Sequence, residues 1–80
     1  MGNWKKTLAK VMSGTADANI RYEDLCLLLR RLGYRPNQAG SSHRIFRFVG
    51  RDFINLQNAS GMAKSYQVRQ VRDQLSKYKK

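Results

Sequence analysis

Eighty residues make one domain, and a chain of this size buries only roughly 60 to 65% of the surface its unfolded form exposes, so the core is thin and leaves little room for a deep pocket. Sixteen Lys plus Arg against five Asp plus Glu give a net charge of +11, which points to a polyanionic partner, because neutralising phosphates releases condensed counterions. Nucleic acid is the first expectation; a basic surface kept for solubility is the second, and an anionic membrane is a distant third because neither end carries a long amphipathic basic helix.

Trp4, Leu8, Val11 and Met12 recur at helical spacing, so the first dozen residues are predicted as a short amphipathic helix, broken by Ser13-Gly14-Thr15 and followed by a loop to Asn19. From about Tyr22, Leu25, Leu28, Leu29 and Leu32 form one apolar stripe. Glu23 and Asp24 in its first turn and Arg30 and Arg31 in its last suit the helix dipole, and Gly33 supplies a left-handed stop. Tyr34 to Gln57 has strand composition, with Pro36 suited to an edge and Gly40-Ser41-Ser42 to a turn. Three strands are predicted, the clearer two being His43 to Val49 and Phe53 to Gln57. A two-residue II′ turn at Gly50-Arg51 would pair Ile45 with Leu56 and bury Ile45, Val49, Ile54 and Leu56, with His43 at the rim of that face. One added loop residue would instead bury Phe46, Phe48, Ile54 and Leu56; the first register is preferred. After a loop around Asn58 to Met62, the stripe Val68, Val71, Leu75 and Tyr78 predicts a closing helix from about Ser65, with Arg69, Gln70, Asp73 and Lys77 facing solvent. The domain thus divides into an N-terminal helix and loop (1–19), a core (20–76) and a basic tail (77–80). The expected class is α+β, with a three-stranded antiparallel sheet, helices on one face and the α-β-β-β-α order of double-stranded-RNA-binding folds.

One cysteine and one histidine exclude an internal disulfide and a four-ligand zinc site, so no metal and no cofactor is expected, and Cys26 beside a leucine run reads as a buried structural thiol. No apolar run approaches a membrane span and no signal-peptide core is present, so a cytoplasmic location without membrane association is expected. Walker loops, dinucleotide glycine patterns, zinc-protease helices and Ser-His-Asp sets are also missing. What stands out is Gly40-Ser41-Ser42-His43-Arg44-Ile45-Phe46, where the single histidine enters a strand in the neighbourhood of Arg35, Arg44 and Arg47. RNA carries its own nucleophile in the 2′-hydroxyl, so cleavage needs a group that moves protons near neutral pH and cations for the developing phosphate charge. By itself the motif is weak evidence, since a lone histidine in a basic strand is more often structural or a plain phosphate contact.

The run from Asp17 through Cys26, with Leu28-Leu29 and Leu32-Gly33-Tyr34, resembles the first half of HicA-type toxins of toxin-antitoxin systems. Ser42-His43-Arg44-Ile45-Phe46 is similar to that family's Gly-Ser-His strand motif, Ile54 to Gln57 to its third strand, and Ala63 to Arg72 to its closing helix. The resemblance covers roughly Asp17 to Leu75 in one order. It implies a ribosome-independent mRNA interferase, an endoribonuclease on a double-stranded-RNA-binding-like fold, held inactive by a HicB-type antitoxin, with His43 as the catalytic histidine. Ser42, Arg44, Arg47 and Lys64 are then the candidate RNA-binding residues; Arg47 has the strand parity of His43 and Arg44 does not, while Lys64 precedes the last helix, where its ammonium and the helix N-terminus can both meet phosphate. Two positions depart from the family pattern: Ser41 stands where Gly is usual, and Ser65 where many relatives have Pro. Phe46, Phe48 and Phe53 are expected to pack rather than to stack on bases. The alternatives are a non-catalytic double-stranded-RNA-binding or ribosome-associated module of the same fold, and an interaction protein whose basic surface serves an acidic protein partner.

Overall fold

The computed structural model describes residues 4–38 and 43–78. Among them are three α-helices, α1 (Trp4–Ser13), α2 (Tyr22–Arg31) and α3 (Ser65–Lys77), a single 3-10 turn at Asp17–Asn19, and four strands, β1 (Arg35–Gln38), β2 (His43–Arg47), β3 (Ile54–Ala59) and β4 (Met62–Ala63). The strands form one antiparallel sheet in the order β1-β2-β3-β4, so the α+β class expected from sequence is the one observed. Pro36, which has no N–H to give, lies on β1 at the sheet edge.

The helix α2 follows its sequence signals closely. Leu25, Leu28 and Leu29 are buried, and so are Tyr22 and Cys26, which complete the same face. It ends in a Schellman pair: the Gly33 N–H donates to the Arg30 carbonyl at 3.1 Å and the Tyr34 N–H to the Leu29 carbonyl at 3.0 Å. These two bonds turn the chain directly into β1. In α3, Val68 and Val71 are buried, Leu75 packs partly against the core, and Arg69, Gln70, Asp73 and Lys77 are exposed as expected. The core runs between these two helices and one face of the sheet, where Phe46, Ile54 and Leu56 have no exposed surface. α1 adds Val11 to that core and is strapped to α3 by Arg72, whose Nη1 donates to the Val11 carbonyl at 3.2 Å and to Asp17 Oδ1 at 2.8 Å.

The preferred sheet register is corrected by the structure. Phe46 pairs with Ile54, Ile45 with Asn55, Arg44 with Leu56 and His43 with Gln57. The buried set is therefore Phe46, Ile54 and Leu56 with Phe48 packed beside them, while Val49 is 97% exposed. The reason lies in the turn. The Arg51 N–H donates to the Phe48 carbonyl at 3.0 Å and Gly50 has φ +82°, which places Gly50 third in a type II turn, whereas a II′ turn needs it second. Val49 then sits at the tip of a longer connection from Phe48 to Phe53, and every later pairing moves by one residue.

The stretch expected as a loop after β3 holds a second, tight hairpin. Ala59 pairs with Met62, and Ser60 and Gly61 between them have φ of +55° and +89°, the two positive angles of a type I′ turn. Asn58 Oδ1 accepts the Gly61 N–H at 2.6 Å. The resulting β4 is fastened to the start of α2, since the Ala63 N–H donates to the Ile20 carbonyl and the Tyr22 N–H to the Gly61 carbonyl. Two buried glutamines were not foreseen and complete the joins. Gln67 Oε1 accepts the Gln57 N–H at 2.9 Å, while Gln74 accepts from the Tyr34 hydroxyl and donates through Nε2 to the Asp52 carbonyl at 2.7 Å.

Candidate nucleic-acid interface

Alternation along β2 decides which residues can act together. Phe46 points into the core, so Arg44 lies on the helix side of the sheet, and His43, Ile45 and Arg47 share the opposite, open face. Register partners extend this face in rows across the strands. One end carries His43 beside Gln57, and continuing the β3–β4 register by one residue sets Lys64 beside Gln57 in turn. At strand spacing, His43 and Lys64 are then roughly 10 Å apart. The middle row is Asn37, Ile45 and Asn55. The far end pairs Arg35 with Arg47, and the same register carried one step further brings Phe53 beside Arg47, whose guanidinium lies over the Phe53 ring at 5.6 Å.

This face has one sign of charge. None of the five acidic residues falls in a strand, and the ion pairs of Arg44 with Glu23 and of Arg72 with Asp17 both lie elsewhere. Arg35 and Arg47 are like charges directly opposed across two strands, an arrangement that costs energy unless an anion bridges them. Lys64 takes the N-cap position of α3, where its carbonyl accepts the Gln67 and Val68 N–H groups, and no side chain caps the helix. The positive end of α3 therefore opens beside the His43 row.

Of the residues singled out from sequence, His43 and Arg47 are brought onto one face, with Lys64 alongside. Ser42, with Gly40 and Ser41, where a turn was expected, lies outside the described residues. Arg44 is turned away and serves the core. Its guanidinium lies 5.7 Å from the Tyr22 ring centre and 3.8 Å from Glu23, against α2. Beneath it burial pushes the Cys26 thiol up, and burial, with Cys26 next, pushes the Tyr22 hydroxyl up to about 12. The His43 imidazole is partly exposed and has no side-chain hydrogen-bond partner among the described residues. Those residues also contain no group of three or more His, Cys, Asp or Glu side chains placed to hold a metal ion.

Sequence reasoning missed Arg51 and Phe53. Phe53, expected to pack, is 55% exposed. Arg51 is half-buried among rings, 4.0 Å from the centre of Phe48 and 4.7 Å from that of Tyr78, and donates to the Tyr34 hydroxyl at 3.1 Å. The signal was present in the second register, which alone places Phe53 beside Arg47. Comparison of the chain with protein-family models, with curated proteins and with solved structures finds no match.

Proposed function

We propose that the chain is a cytoplasmic endoribonuclease toxin of the HicA kind, on a double-stranded-RNA-binding-like fold, in which His43 transfers the protons of RNA cleavage. The observation that carries the reading is the shared open face: the only histidine and Arg47 lie on one acid-free sheet surface, with Lys64 at its margin as the N-cap of α3. Cations there hold the phosphodiester and stabilise its developing charge. Neutral His43 accepts the 2′-hydroxyl proton, or protonated His43 gives one to the leaving oxygen, and the attacking oxygen comes from the RNA itself. With a single histidine and scattered carboxylates, the chain's own residues supply proton transfer and positive charge rather than a nucleophile. Regulation is then by a HicB-like antitoxin that covers this face.

The test is cleavage of a labelled RNA in EDTA, with the scissile nucleotide in ribo and 2′-deoxy forms. The ribo substrate should be cut to a 2′,3′-cyclic phosphate or its hydrolysis product, and the deoxy form should bind almost unchanged and stay intact, since phosphate contacts supply most of the affinity. Cutting of the deoxy form at the same bond, or activity that vanishes with chelation and returns with a divalent metal, would overturn this mechanism. One observation favours the second reading, a non-catalytic RNA-binding module: His43 lacks a partner to orient its imidazole among the described residues. Under that reading the same RNA binds and remains intact in both forms.

A further inference from the structure

At the far end of the sheet, where the open face turns over its end towards Gly33 and Phe48, lies a depression of about 450 Å³ walled also by Arg35, Arg47, Arg51 and Phe53. It does not reach His43, which lies four residues back along β2, or roughly 13 Å at the rise of an extended strand. We propose that this depression is a second binding site, a subsite that takes one nucleotide of single-stranded RNA remote from the bond cut at His43. The proposal rests on the RNA-binding part of the function proposed above.

Three observations point to a nucleotide. First, none of the three guanidiniums is in an ion pair among the described residues, and two of them, Arg35 and Arg47, are forced together by strand register. A phosphate between them relieves that repulsion and can be held by paired N–H donors. Second, Arg51 is partly withdrawn from water and oriented by Phe48, Tyr78 and the Tyr34 hydroxyl, so it is a pre-set donor with N–H groups to spare. Third, Phe53 holds the Arg47 guanidinium against its ring yet keeps more than half its surface in solvent, an open platform for a base. Guanidiniums alone would also suit an acidic protein. The exposed ring beside them, on the same sheet face as His43, favours a base with its phosphate. At the ~3.4 Å rise of a stacked strand, the separation from His43 spans about four nucleotides, and fewer if the strand is stretched.

The test uses the full chain and a fluorescent 2′-O-methyl RNA octanucleotide, which lacks the free 2′-hydroxyl and so stays intact while its binding is followed by anisotropy. Phe53→Leu keeps an apolar side chain but removes the ring, and should weaken binding about five- to a hundredfold, whereas Phe53→Tyr should stay within about twofold of the parent. Arg47→Gln should lower the salt dependence of binding by about one ion. Equal affinity of parent and Phe53→Leu overturns the subsite and leaves the cleavage reading to its own experiment. Phe53-dependent binding by a chain that never cuts unmodified RNA upholds the subsite and removes the nuclease. Failure of the parent to bind the octanucleotide, with Phe53-dependent binding of a polyglutamate peptide instead, overturns the subsite in favour of an acidic protein.

Discussion

His43 and Arg47 stand on the open face of β2 and Arg44 on its covered face, so three neighbouring basic side chains should respond differently to removal. His43→Ala takes away a partly exposed ring without opening a cavity; RNA cleavage should be lost while unfolding free energy stays within about 1 kcal/mol of the parent. A variant that cuts at the parent rate would remove His43 from the chemistry. Arg47→Ala should weaken RNA binding and reduce its salt slope by about one, with little change in stability. Arg44→Ala should do the reverse. It forfeits the contact with the Tyr22 ring and a long, exposed ion pair with Glu23, together about 1 kcal/mol, and should leave the salt slope intact. Chemical denaturation and anisotropy titrations at several salt concentrations on the two variants separate these roles, and identical behaviour would mean that strand parity does not govern the face.

At the level of elements, the joins are made by buried polar groups. Gln74 ties α3 both to the Tyr34 hydroxyl and to the Asp52 carbonyl, so Gln74→Leu takes the acceptor from the Tyr34 hydroxyl, which keeps only the bond it receives from Arg51, and the donor from the Asp52 carbonyl; it should cost about 1 to 2 kcal/mol, read as a lower denaturation midpoint. The α2 face carries a pH signature. In the unfolded chain Cys26 and Tyr22 lose their protons near 9 and 10, whereas burial raises both in the folded state, Tyr22 to about 12. The native state therefore holds more protons through that window: the contribution is complete below about pH 9 and is lost as pH rises towards 12. Tyr22→Phe should flatten the part of the decline above pH 10, and an unchanged alkaline slope would exclude Tyr22 as its source. Helices were the legible part of this fold because Leu25, Leu28, Leu29, Val68 and Val71 repeat at one period over several turns. The sheet was less so. Val49-Gly50-Arg51 admits two turns that differ by one residue, and Ile45 and Phe46 are both apolar, so hydrophobicity alone leaves the register open. Ser60-Gly61 carries no strong hairpin signal, because a serine seldom takes positive φ. For the open face, the parity of His43 and Arg47 was readable from alternation, but Arg51 and Phe53 joined them only through the turn.

For the whole molecule, the charged sheet face and the helix-covered face are separate, so on the function proposed above a silencing partner must cover the sheet side that carries His43. Such a partner should present acidic groups, associate at a rate that falls steeply with ionic strength, and exclude the octanucleotide from the complex. RNA binding of equal strength by the free and the complexed chain would contradict that occlusion. A domain of this size has a net stability of roughly 4 to 12 kcal/mol, so a single core substitution removes a large share of it. The β3–β4 hairpin offers a way around this. Ser60 holds a left-handed conformation that costs an ordinary side chain about 1 kcal/mol, in a turn whose usual occupants are Asn and Gly. Ser60→Asn should return roughly 0.5 kcal/mol of that strain without touching the open face. A backbone carrying it would be the better parent for damaging substitutions, because the hairpin still holds an unspent reserve of mutational tolerance.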